Sequence, residues 1–216
     1  MTLDEFEKQN NITFPSAYKR IYATGDMEWM EKSYSYISEN YNELINKNYF
    51  SLPPLGDCRF IPFEHINETL DELNEMIIMD GEFSGYIHEI NPKFRILPFA
   101  TMLSGDIYCF LYDINQNKEP SILLYGHDTG DWDLWAESFD SFIYSQLISA
   151  IVDWDNPIDS TYITNQIKYL DVDYQQRFAN KDIEALKNEP EYCFEVKEFS
   201  IYMWKDKINE RNKYRT

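Results

Sequence analysis

The chain has 216 residues, of which 44% are hydrophobic and 17% aromatic, enough apolar material to build one core without covalent staples. Nineteen basic residues against 38 acidic ones leave a net charge of −19, which repels phosphate backbones and anionic membrane surfaces. That charge excludes nucleic acid and membrane as partners, fits a basic protein, and serves equally as a solvated surface kept for solubility.

Three isolated cysteines, Cys58, Cys109 and Cys193, with no C-x-x-C pair, argue against a disulfide framework or a thiolate zinc site and fit a reducing compartment. The opening MTLDEFEKQNN has neither the basic nor the apolar part of a signal segment, and no later run reaches membrane-spanning length. A soluble cytoplasmic protein is expected. Leu3 and Phe6 in polar surroundings predict a short first helix. TFPSAYKRIYATGD predicts a second, with Pro15 in its first turn, Tyr18, Ile21 and Tyr22 on one face and Gly25 as terminator. Residues 26–50 show weak helical spacing through Met30, Tyr34, Ile37, Tyr41 and Leu44, and SLPPLGD then breaks the chain.

RFIPFEHI reads as a short strand feeding a helix over 64–78, where Ile66, Leu70, Leu73 and Ile77 recur at three and four residues until Asp80 and Gly81 stop it. FRILPFATMLSGDIYCFLYDINQNKEPSILLYGHD holds apolar runs separated by Ser-Gly-Asp and Asn-Gln-Asn-Lys, as an antiparallel meander requires. Behind an acidic loop, Phe139, Phe142, Ile143, Leu147, Ala150 and Ile151 share one side of a helix that should lie on the sheet. Ser138 is its N-cap, and Asp140 stands favourably in its first turn. From Asp153 onward polar helices are expected near 158–170, 173–187 and 196–212, the last with Val196, Phe199 and Met203 in register. Residues 1–152 therefore read as the main domain, and 153–216 as a helical C-terminal extension packed on it.

The stretch GHDTGDWDLWAESFDSFI, 126–143, looks like a metal site built on His127, Asp128, Asp131 and Asp133. Spacing rejects it. An EF-hand register begun at Asp128 puts Gly130 and Trp132 where oxygen ligands are needed, one begun at Asp131 fails at Trp135 and Ala136, and no second histidine stands at zinc spacing. No metal or cofactor is assigned, and a metal-dependent hydrolase using His127 ranks last among the readings. The chain has no G-x-S-x-G, P-loop, G-x-G-x-x-G or H-E-x-x-H. Cys109, in IYCFLY, reads as an inert core residue, His65, His88 and His127 are scattered, and nothing marks two carboxylates as flanking a sugar. Trp132 and Trp135 beside Asp131 and Asp133 have the make-up of a protein-binding patch, aromatic anchors within a charged rim, with Trp135 expected to pack under the loop.

In order and spacing these features resemble the SUKH superfamily, the domain shared by fungal cell-wall-assembly regulators and many bacterial toxin-immunity proteins. FPSAYKRIY at 14–22 is similar to that family's Leu-Pro-x-x-Tyr-Lys helix start, ILPFATMLSGDIYCFLYD at 96–113 to its Gly-Asp hairpin, and LWAESFDSFI at 134–143 to its Ala-x-Ser-Phe-x-x-Phe-Leu helix entry. Phe14 stands where leucine is usual, and ATGDM replaces Asn-Gly-Gly after the helix. The resemblance implies an α+β fold, a central, mainly antiparallel sheet with helices packed against it. It also implies binding rather than catalysis, since bacterial members neutralise toxins, many of them nucleases, by binding them.

The expected function is therefore that of a non-enzymatic immunity protein whose acidic face occludes a basic partner, a toxin domain. Expected partner-binding residues are Asp106, Asp113, Asp128, Asp131, Trp132 and Asp133, which stand at predicted strand ends and in the loop entering the helix, where binding residues tend to be exposed. The alternative is a regulatory or scaffold module like the fungal members, binding several signalling proteins.

Overall fold

A computed structural model describes residues 2–25, 58–84, 87–116, 118–152, 166–179 and 181–205, with isolated positions between 32 and 43. Helices α1 (Leu3–Asn10) and α2 (Ser16–Ala23) open the chain, followed by strand β1 (Cys58–Phe60) and a 3-10 turn, Phe63–His65, that runs into α3 (Ile66–Ser84). Then come β2 (Ile87–Ile90), β3 (Phe94–Met102), β4 (Ile107–Asp113), β5 (Ser121–Tyr125), β6 (Trp132–Ala136) and α4 (Phe139–Val152). The C-terminal region supplies α5 (Val172–Ala179), α6 (Ile183–Leu186), β7 (Lys197–Glu198) and β8 (Tyr202–Lys205).

Six strands form one sheet in the order β1-β3-β4-β5-β6-β7 with every neighbour antiparallel, and β2 pairs separately with β8. The fold is thus α+β, as the sequence leads one to expect. Strand β4 shows how the layers lie, because Ile107 through Tyr112 are all buried. A strand buried at every position must be covered on both faces. Tyr108, Phe110 and Tyr112 enter a core with Phe6 and Tyr18 from the opening helices, Phe14 from the connection between them, and Phe139 and Phe142 from α4. Ile107, Cys109 and Leu111 enter a second core with Leu73 and Ile77 of α3, Tyr125, Trp132 and Ile201. The first is dominated by aromatic contacts, such as Phe99 on Phe110 at 4.3 Å between centroids.

Local chemistry explains the element ends. Thr2 and Glu5 form a capping box on α1, with bonds of 3.2 and 2.7 Å. Ser138 caps α4 as expected, its Oγ accepting from the Ser141 N–H at 3.1 Å. Two bulges keep side chains on the right faces. Phe99 is the extra residue of β3 and Trp135 that of β6, so Leu134 meets the second core while Ala136 reaches the first.

Four sequence expectations are corrected. Helix α3 continues past Asp80 and Gly81 to Ser84, because the Asp80 carboxylate is bound by the Tyr125 hydroxyl and serves no stop signal. Residues 132–136, read as loop, form β6. The helix expected over 173–187 is two helices, α5 and α6. The helix expected over 196–212 is replaced by strands β7 and β8, because Phe199 and Ile201, two apart, face the second core while Val196 is exposed. The expectations for 26–50 and 158–165, the part beyond Lys205, and the side chains of His88 and Met203 lie outside the described residues, apart from the isolated positions.

Candidate functional site

An antiparallel meander brings alternate turns to the same end of a sheet. Here those are the β3–β4 turn, residues 103–106, and the β5–β6 loop, residues 126–131. They are joined by Asp106, whose Oδ1 accepts from the His127 N–H at 2.9 Å and whose Oδ2 accepts from the Ser104 hydroxyl at 2.7 Å. Gly105 permits the approach: at φ +95 it turns the chain where a Cβ would lie 3.2 Å from the His127 ring.

The β5–β6 loop is held by its own backbone, with Gly126 N–H donating to the Asp131 carbonyl at 3.0 Å and Gly130 N–H to the Gly126 carbonyl at 2.8 Å. A third element reaches it. Asp80 on α3 accepts from the Tyr125 hydroxyl and lies so close to Gly130 that a Cβ there would fall 2.7 Å from its Oδ2. Burial first, then the bond to Asp80, pushes ionisation of the Tyr125 phenol upward and keeps it a donor.

Asp106, Asp128, Asp131 and Asp80 thus gather at one end on rigid supports. Among the described residues none of the four has a lysine or arginine within ion-pair distance, and Asp128, 88% exposed at its side chain, meets only the His127 imidazole at 3.1 Å. Their field is left uncancelled. Apolar side chains stand beside them: Leu103 in the β3–β4 turn and Met79 next to Asp80 are each 67% exposed.

The six expected residues do not form one face. Asp113 lies at the opposite end of the sheet, where its carboxylate accepts from Asn115 N–H at 3.0 Å and Gln116 Nε2 at 2.8 Å and closes a turn. Asp133 sits within β6, half-buried, opposite Leu124 and Glu198. Trp132 corrects an expectation: it is 2% exposed, packed on Tyr125 at 5.0 Å, with its indole N–H donating to the Tyr202 hydroxyl at 2.7 Å. Trp135, expected to pack, is partly buried on the other face of the sheet, against the first core, where it meets Tyr108 edge-on at 5.7 Å. The pairing of Trp132 with Tyr125 decides this, because it fixes which face of the sheet the indole enters.

Sequence reasoning missed Asp80, read only as a helix stop, and missed Leu103 and Met79. A large apolar residue inside a Ser-Gly-Asp turn was the available signal. Cys109 lies in the second core, where burial pushes its thiol ionisation up, while His127 is exposed on a loop, so the two do not meet. Among the described residues no three His, Cys, Asp or Glu side chains gather as metal ligands would.

The sequence model of the SMI1/KNR4 family (SUKH-1) matches residues 2–145. The match covers α1 through the first half of α4, including both turns of the acidic end. Comparison with curated proteins and with solved structures finds no match.

Proposed function

The chain belongs to the SMI1/KNR4 family (SUKH-1), and from that premise we propose that it is a non-enzymatic immunity protein that neutralises a basic toxin domain, a nuclease being the natural target, by binding it with the acidic end of its sheet. The observation that carries this reading is the splint of Asp106 between two turns. With the Tyr125 hydroxyl holding Asp80, it leaves Asp80, Asp128 and Asp131 as a set of carboxylates that no lysine or arginine among the described residues neutralises, with Leu103 and Met79 exposed on the same turn and helix. Such a surface steers a cationic partner by its field and holds it by apolar contact. A domain that grips phosphates presents the complementary charge. Residues 153–216 are proposed to act with 1–152 as one unit, since β7 extends the sheet and Ile201 fills its second core. The setting proposed is the cytoplasm, where the toxin would meet its target.

The test is co-expression with the toxin encoded beside the gene, followed by binding kinetics of the purified pair. Asp128→Lys combined with Asp131→Lys is expected to slow association by about tenfold at low ionic strength, with the difference shrinking as salt rises. Both side chains are exposed in a turn, so folding stability should change by no more than about 0.5 kcal/mol. Unchanged association at low salt removes this end from the interface. Capture of several signalling proteins, with no protection against the neighbouring toxin, would favour the scaffold reading.

A further inference from the structure

The end of the sheet opposite the acidic turns carries a cavity of about 390 Å³ between the α1–α2 connection and the ends of β3 and β4. Its wall includes Asn11 and Thr13 from the connection, Arg95 and Tyr112 from facing positions of β3 and β4, and Asp113 and Lys118 beyond them. We propose that this cavity binds a small oxyanion, the phosphate or carboxylate group of a small polar molecule.

Charge is the first argument. Two other arginines among the described residues are taken up by internal acceptors: Arg20 binds Asp171 at 2.8 Å and the Tyr169 carbonyl at 2.7 Å, and Arg177 binds Glu189 and Glu191. Arg95 and Lys118 have no hydrogen bond or ion pair among the described residues, and both are exposed toward the cavity they line. The acid on the same wall, Asp113, is occupied by Asn115 and Gln116. Two cations therefore line the cavity against one lining carboxylate that is already engaged, while Glu7 and Glu119 stand close enough to act on Tyr112. A strand the length of β3 spans roughly 30 Å, nearly four screening lengths of about 8 Å at physiological salt, so the acidic turns do not cancel them.

The donors supply the second, independent argument. Tyr112 is 9% exposed, and its hydroxyl is buried with no hydrogen-bond partner. An unsatisfied buried hydroxyl is a cost that a folded chain rarely bears without use. The Asn11 amide and the Thr13 hydroxyl are likewise without partners among the described residues. A guanidinium, an ammonium, an amide and the Thr13 hydroxyl line one cavity as a donor set for an anion, and the unpartnered hydroxyl belongs to a further lining residue, Tyr112. The volume is at the lower end for ligand sites, which fits a small molecule and not a peptide segment.

The experiment is titration calorimetry of the full chain with inorganic phosphate and, separately, with succinate, at constant ionic strength. Saturable one-site binding of at least one is expected, weakened about tenfold by Arg95→Gln and by Lys118→Gln and unchanged by Asp128→Asn at the far end. Tighter phosphate would assign a phosphorylated ligand, and tighter succinate a carboxylate one. The proposal is overturned if neither anion binds saturably by about 10 mM, or if affinity survives both Arg95→Gln and Lys118→Gln. An effect of Asp128→Asn as large as theirs would mark a response to net charge and overturn it too. None of these results bears on toxin binding, which the other end of the sheet is proposed to carry.

Discussion

Trp132 shows how one side chain changes role once its strand is placed. Set among aspartates, it has the make-up of an exposed anchor. In the fold it lies under the acidic loop and bonds the C-terminal region through Tyr202. The Tyr202 phenol is pushed up to about 12, chiefly by burial, so it stays neutral and able to accept from the indole N–H. Tyr202→Phe would leave that N–H buried without this acceptor. The expected loss is about 1–2 kcal/mol, read as a lower urea midpoint with unchanged slope. A midpoint unmoved by the substitution would mean that the indole N–H finds another acceptor. Side-chain chemistry could not reveal this role, because Trp132 and Trp135 have similar neighbours and only the strand register decides which of them enters the second core. Asp106 is the converse case. Its place beside a glycine in a turn was legible, while its bond to His127 depends on two hairpins meeting.

At the scale of elements, helices were legible wherever one face alone is apolar, as in α1, α2 and α3. Strands β3 to β5 were legible from runs bounded by turn residues. Strand β6 was hidden because Asp133 interrupts it and Trp135 breaks its alternation. Helix α4 was found from its spacing and its Ser138 cap, yet its first turn holds what periodicity cannot show. Asp140 is buried there, with Oδ1 accepting from the Asp171 N–H at 2.7 Å and Oδ2 meeting no partner. Burial above all, and the neighbouring Asp171 charge, raise its pKa against the opposing pull of that N–H and of Arg20 at 3.7 Å. A carboxyl whose pKa is raised on folding favours the folded state most when protonated. Its contribution is full below the ordinary carboxylate range and is lost as pH rises through the shifted value. Asp140→Asn keeps the Oδ1 acceptor and removes the charge. It should match the parent below about pH 4 and exceed it by about 1 kcal/mol near neutrality. Denaturant midpoints measured across that range check the sign, and a loss at neutral pH would show that the Arg20 contact outweighs burial.

At the scale of the whole molecule, the C-terminal region closes the second face of the sheet. Its path depends on partners far away in sequence, β7 on β6 and β8 on β2, and such pairing leaves no local signature. Between the two strands, the Phe199 N–H donates to the Trp132 carbonyl at 2.6 Å, the Phe199 ring meets Phe94 at 5.5 Å, and the Ile201 carbonyl accepts from the Asn91 N–H at 2.8 Å. The Ile201 side chain is fully buried among Leu73, Ile77 and Trp132 in the second core. The helical spacing of Val196, Phe199 and Met203 and the strand spacing of Phe199 and Ile201 compete over the same residues, and they make opposite demands. A helix in that register would bury Val196, whereas the strand path buries Ile201 and leaves Val196 exposed. Ile201→Ala should therefore cost about 2–4 kcal/mol, while Val196→Ala should stay within about 0.5 kcal/mol. Urea unfolding of the two variants side by side separates the paths, since comparable losses at both positions would restore the helix and leave the second core without its cover.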